Sequence, residues 1–235
     1  MLKEEIQIYY LISVQTQENK KSKILNKGPF AFARYADFEL AVLTNNKITS
    51  CDHITVSEED REFGKELYDT LLHKESNYFY GISCPCCDMH SYQTYKRILT
   101  NSWDRVTFSN MFVNSNWNSA TEFLMSYKDK IFIANENAKL EVPFFKCPSN
   151  VLIAYRSKRL ELKNYYESIA KNYNSQLFCI SAGPLAEIII HWMYNANPNN
   201  QYIDIGSALD TYIHKTATRD YHIPGRVFNL RTCHF

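Results

Sequence analysis

No stretch of about 18 consecutive apolar residues occurs in the chain, which excludes an ordinary transmembrane helix. Charge of one sign is also missing: 26 Lys and Arg stand against 25 Asp and Glu, a formal net charge of +1. A sequence-independent nucleic-acid binder needs a broad basic field, so no nucleic-acid partner is expected. The opening Met1-Leu2-Lys3-Glu4-Glu5 lacks the basic flank and apolar stretch of a secretory signal. A cytoplasmic location is therefore expected, the host cytoplasm if the chain is viral. Seven cysteines, an odd number spread unevenly from Cys51 to Cys233, suit reduced thiols better than a disulfide framework. There is no internal repeat, low-complexity tract or linker, so the 235 residues read as a single domain with a core at about 28–210 and an irregular C-terminal tail.

What is present is enough apolar material for a core: 45 % hydrophobic residues and only 22 % charged ones. Seventeen tyrosines and fourteen phenylalanines suit sugar or base sites, though most such rings fill cores. Phe30-Ala31-Phe32-Ala33-Arg34 alternates large and small side chains and reads as a buried strand entered from the Gly28-Pro29 turn. A helix is expected after Asp37, and another opens at Ser57 and Asp60 and carries Phe63, Leu67, Leu71 and Leu72. Strands are expected at 78–82, 130–134, 151–154, 176–181 and 202–205, with an extended stretch at 105–113. Helices are expected at 91–99, 120–127, 158–173 and 184–194. Such alternation predicts an α/β, Rossmann-like fold, its mostly parallel sheet covered by helices on both faces.

Three segments carry the chemistry. In open α/β sheets, ligands gather outside the carboxyl edge, where strands end. Asp37 and Glu39 fall there after the first strand, and from extended backbone two carboxylates one residue apart point the same way. They offer hard oxygen ligands to Mg2+ or Mn2+, and Arg34 offers a planar fork to phosphate. The bland alternative is that Asp37 caps the following helix and Glu39 favours its first turn. Later, Ser181-Ala182-Gly183-Pro184 makes a strand–turn–helix junction, where Gly183 permits close backbone approach and Pro184 suits the first helical turn. Amides at such a helix start attract phosphate. Finally, Asp204 lies in an apolar strand that exits through Gly206 and Ser207, where a carboxylate binds ribose, orients a sugar or acts as base.

Together these residues resemble the GT-D type glycosyltransferases, formerly a domain of unknown function. Arg34-Tyr35-Ala36-Asp37-Phe38-Glu39 is similar to the family's Arg-Phe-Gly-Asp-Gly-Glu signature, and Gly183-Pro184 followed by Ile203-Asp204-Ile205-Gly206 resembles its later pattern. The resemblance implies a Rossmann-like glycosyltransferase with a nucleotide-sugar donor, often UDP-linked, a glycan or other hydroxyl acceptor, and Mn2+ or Mg2+. It implies Asp37 and Glu39 at the metal, with Arg34, Gly183, Pro184, Gly206 and Ser207 at the donor. Arg219 is a further diphosphate candidate from a late loop, and Asp37, Asp204 and Asp210 are candidate bases. Ala36 and Phe38 replace the family's glycines, and Ser207 replaces its usual histidine; Phe38 is a candidate to stack on a base or sugar.

Other clusters compete for attention. Cys84, Cys86 and Cys87 with His90 are metal-capable, but the spacing is tight for an ordinary zinc pair, and a loop bordering the donor site is the simpler expectation. Trp103, Arg105, Phe108, Asn110, Asn114 and Trp117 suit either sugar recognition or the core. Glu136 is a lesser candidate carboxylate, and His191 reads as a core or surface histidine. Two other functions fit parts of the pattern: an S-adenosylmethionine methyltransferase, through Asp204-Ile205-Gly206, and a non-catalytic nucleotide-sugar-binding module.

Overall fold

A computed structural model describes residues 28–44, 57–113 and 116–223. Seven parallel strands form one sheet: β1 (Phe30–Tyr35), β2 (Tyr78–Ile82), β3 (Val106–Phe108), β4 (Lys130–Asn135), β5 (Phe144–Cys147), β6 (Leu177–Ser181) and β7 (Gln201–Asp204). Their spatial order is β3-β2-β1-β7-β6-β4-β5. The helices are α1 (Asp37–Leu43), α2 (Arg61–Leu71), α3 (Met89–Ile98), α4 (Trp117–Ser126), α5 (Val151–Asn172), α6 (Ala186–Ala196) and the short α7 (Asp210–Ile213). Short 3-10 turns cover Glu58–Asp60, Thr100–Arg105, Ser109–Phe112, Gly183–Leu185 and Asp220–His222.

A strand buried on both faces must be apolar at nearly every position, which is why β1 reads FAFARY and β6 reads LFCIS. Ala31, Ala33 and Tyr35 pack on one face with Phe63 and Leu67 of α2, Tyr95 of α3, Tyr155 of α5 and Trp192 of α6. Phe30 and Phe32 lie on the other face with Ala120 and Leu124 of α4 and Ile213 of α7. Helices therefore cover both faces, as the alternating sequence predicts. Each large side chain fully removed from water contributes roughly 1.5–3 kcal/mol, so these two layers hold the sheet edge in place beneath the loops.

Two expected elements differ. Residues 151–154 are not a strand but the first turn of α5, where the Asn150 side chain accepts from the Ile153 amide at 3.2 Å. A capped start outweighs the strand preference of a short Val-Leu-Ile run. That helix breaks at Lys158 (φ −139°, ψ 26°), so the helical spacing read from residue 158 is its second half. The missing strand is β5, paired with β4 from Phe132↔Phe144 to Asn135↔Cys147. Of the extended stretch at 105–113, only Val106–Phe108 is strand; the rest is 3-10 turn.

Candidate active site at the carboxyl edge

Because all seven strands run the same way, every strand exit opens on one edge of the sheet. β7 lies between β1 and β6, pairing Phe32↔Ile203 on one side and Ile180↔Asp204 on the other. The early acidic segment and the late Gly-Pro turn thus share that edge. Gly183 (φ 53°) and Gly206 (φ 48°) both take left-handed backbone, which glycine adopts without the Cβ penalty.

A cavity of about 560 Å³ runs along this edge. Gly183, Gly206, Ser207, Asp210 and Arg219, five residues singled out from the sequence, line it together with Lys139 and His214. The size is that of a nucleotide- or drug-sized ligand site. Pro184 is buried in the turn behind Gly183 and is not among the lining residues. The Gly206–Leu209 floor is held from above. Trp117 Nε1 donates to the Ala208 carbonyl at 2.7 Å, and His222 Nε2 lies 2.9 Å from the Ser207 carbonyl. His222 Nδ1 accepts from the amides of Thr218 and Arg219, so Nε2 carries the proton to Ser207, while burial pushes the imidazole pKa down. Ser207 Oγ also meets Tyr221 Oη, and Thr218 Oγ1 donates to Asp210.

Three buried acids, none of them among the lining residues, connect to the cavity through Gly206. Asp204 Oδ1 accepts from the Gly206 amide at 2.8 Å, so the residue that lines the cavity is tied to the carboxylate behind it. Asp204 (5 % exposed), Glu39 (8 %) and Glu187 of α6 (2 %) are all withdrawn from water. Burial pushes the Glu39 pKa up to about 7; the Ala36 amide opposes this, and the charges of Asp204 and Asp37 reinforce it. Burial, then Glu39 and Asp204, push Glu187 well above the carboxylate range. Asp204 is raised by burial, against the pull of the Arg34 charge and the Gly206 and Arg34 amides. Arg34 itself donates from Nε to the Ser109 carbonyl at 2.8 Å, while its Nη1 and Glu187 Oε2 have no hydrogen-bond partner. Buried polar atoms are ordinarily paired, so these two stand out beside the acids.

The acidic pair is not arranged as extended backbone predicts. Asp37 and Glu39 both lie in the first turn of α1, where positions two apart face different ways. Asp37 is exposed; Glu39 turns inward, and its Oε2 accepts from the Ala36 amide at 2.8 Å. The helix-capping role expected of Asp37 therefore falls to Glu39. Phe38 does not face a ligand: it is buried in the core beside Leu40 and Val42. Glu136 is exposed and accepts from the Ser149 amide at 2.9 Å, clamping a turn rather than joining the acids.

Of the aromatic and amide candidates, Trp117 alone is shown reaching the cavity floor. Arg105 is buried at the opposite edge, its Nη1 donating to the carbonyls of His73, Glu75 and Tyr78. Phe108 is core, Trp103 packs against Tyr92, and Asn114 lies outside the described residues. Glu187 escapes a motif-based reading, although a single acid in the apolar run Leu185-Ala186-Glu187-Ile188-Ile189 is a recognisable signal of a partnered or functional group. Lys139 and His214 carry no such signal; only the closed sheet brings them to the cavity.

Comparison with protein-family models and with curated proteins gives no match. Solved structures do match. One is a selenomethionine-substituted structure of domain of unknown function 1792 (DUF1792), at 15 % identity and TM-score 0.54, covering 89 % of this chain and 82 % of that one. Another, reporting that this highly conserved domain has a distinct glycosyltransferase fold, matches at 15 % identity and TM-score 0.53 with the same coverage. A third, a new glycosyltransferase (DUF1792) from Streptococcus sanguinis, matches at 10 % identity and TM-score 0.54, covering 88 % of this chain and 84 % of that one. At these identities the likeness is one of architecture: the chain has the α/β fold of the DUF1792 structures, described as a distinct glycosyltransferase fold.

Proposed function

We propose that the chain is a glycosyltransferase that moves a sugar from a nucleoside-diphosphate donor, a UDP-sugar first, to a hydroxyl of a glycan or other acceptor. The observation that carries this reading is the single cavity lined by Gly183, Gly206, Ser207, Asp210 and Arg219 and joined through the Gly206 amide to the buried acids. The shared fold with glycosyltransferase structures supports it.

The residues supply what the transfer needs. The Gly183 turn opens backbone to an anion at the start of α6, and the cations Lys139 and Arg219 line the same space. Asp210 lines the cavity with a buried carboxylate oriented by Thr218, which makes it the preferred base toward an acceptor hydroxyl. Asp204 then holds the floor through Gly206, and Asp37, exposed at the start of α1, is the less suitable base. The Glu187 oxygen left without a partner near Glu39 and Asp204 suits a hard cation, which would displace the protons that burial favours on these acids. Glu39 would hold Mn2+ or Mg2+ together with substrate oxygens and its charged neighbour Asp204, whereas Asp37, exposed and facing another way in the first turn of α1, is not placed to share the ion. Such an ion would supply charge stabilisation to the departing diphosphate.

Thermal-shift measurements against UDP, GDP and S-adenosylmethionine, each with and without Mn2+, test the reading. A Mn2+-dependent rise in Tm with a nucleoside diphosphate is expected. A shift with S-adenosylmethionine alone supports a methyltransferase instead, and donor binding without hydrolysis or transfer supports a binding module. Glu39→Ala is expected to abolish the Mn2+ dependence while the fold persists; turnover equal to wild type removes Glu39 from the mechanism.

A further inference from the structure

The Cys84-Pro85-Cys86-Cys87 loop plays no part in the cavity, yet the fold gathers its sulfurs. Among the described residues, this is the one group of three metal-capable side chains whose ligand atoms all lie within 4.8 Å of one another. Cys84 and Cys86 Sγ are 3.0 Å apart, and Cys86 and Cys87 Sγ 4.0 Å. Three thiolates around one zinc ion, each about 2.3 Å from it, stand about 3.8 Å from one another. The sulfurs bracket that spacing.

The backbone explains the gathering. The amides of Cys87 and Asp88 both donate to the Cys84 carbonyl, at 3.1 and 3.0 Å, so the chain folds back within four residues. Pro85 fixes its own φ inside that turn. Asp88 then caps α3 by accepting from the Ser91 amide at 3.0 Å, anchoring the far side of the loop. Cys84 is buried and Cys86 and Cys87 are exposed, which leaves the group rooted in the core and open to solvent on one side. Sequence spacing alone argues against zinc because two ligands two apart and two adjacent ones rarely converge; this turn makes them converge.

We propose that Cys84, Cys86 and Cys87 bind a thiophilic divalent ion, zinc first, with solvent in its fourth position. Thiolate sulfur selects zinc over the hard cations suited to carboxylates, so this site and the one proposed at Glu39 would take different metals. On binding, the thiols release their protons to solvent. The ion braces a specific neighbour. β2 pairs with β1 up to Tyr35↔Ile82, and Tyr95 of α3 donates its hydroxyl to the Ala36 carbonyl at 2.8 Å. Locking the loop at the start of α3 therefore steadies the turn that presents Asp37 and Glu39.

Cobalt titration of the full chain, reduced with a phosphine, tests this. Co2+ is expected to give thiolate-to-cobalt charge transfer and tetrahedral d–d bands that saturate at one ion per chain and vanish on adding Zn2+. Cys86→Ser and Cys87→Ser, both at exposed positions, are expected to lose these bands, whereas Glu39→Ala keeps them. Zn2+ is also expected to raise the Tm of the wild type and not of the serine variants. No thiolate band in the reduced chain, or an undiminished band in both serine variants, overturns the proposal.

Discussion

Glu39 titrates where few carboxylates do, because burial and the charge of Asp204 both disfavour its ionised form. Its folded-state pKa, about 7, exceeds the ordinary 4.5, so the native state holds a proton that the unfolded chain releases. That contribution to stability is complete below pH 4.5 and is lost as the pH rises through 7. In the metal-free protein, Tm is expected to fall between pH 5 and pH 8, and Glu39→Gln to flatten the slope; an unchanged profile would contradict the burial described. Glu187, raised in the same direction by burial and by Glu39, follows the same sign. Glu187→Gln is therefore expected to raise Tm at pH 8 and leave it nearly unchanged at pH 5. His191 has the opposite sense: burial lowers its imidazole from 6.5 to about 4, so stability drops as pH falls through that interval. His191→Gln is expected to reduce this acid loss in a thermal scan. Sequence motifs pointed to Asp37, Glu39 and Asp204, but not to their orientations, since whether two carboxylates converge depends on helix or extended backbone.

Turns and caps connect these residues to the fold. An added Cβ at Gly206 would lie 2.0 Å from Arg34 Nη1, at a backbone φ of +48°. Gly206→Ala thus costs about 1–2 kcal/mol in backbone strain alone and displaces a guanidinium anchored on Ser109. A lower urea midpoint together with weaker UDP-dependent stabilisation is the expected result; a loss of stability without any change in ligand response would separate Arg34 from the site. Gly183 and Gly206 were legible because glycine at a strand exit has a physical reason. The start of α5 was not legible, because Val-Leu-Ile suits a strand as well as a helix, and the decisive bond comes from Asn150. Asn150→Ala is expected to cost about 1 kcal/mol in chemical denaturation.

Across the molecule, the fold class was readable because parallel strands covered on both faces must be apolar at nearly every position, and β1, β4 and β6 are apolar through their middles. The edge strand β5 was not readable: Phe144–Cys147 is four residues long and only partly buried, and its assignment depends on β4 beside it. The cavity was half readable. Gly183, Gly206, Ser207, Asp210 and Arg219 announced themselves, whereas Lys139 and His214 reach it through the packing of loops far apart in sequence.

β1 completes its pairing only through β7, with Ala31 opposite Tyr202. During synthesis, the first strand therefore waits for almost the whole described chain to leave the ribosome before its second edge is satisfied. Until then Phe30 and Phe32 lack their Ile203 neighbour and offer a bare hydrogen-bonding edge, the stage at which a chaperone would engage the nascent protein.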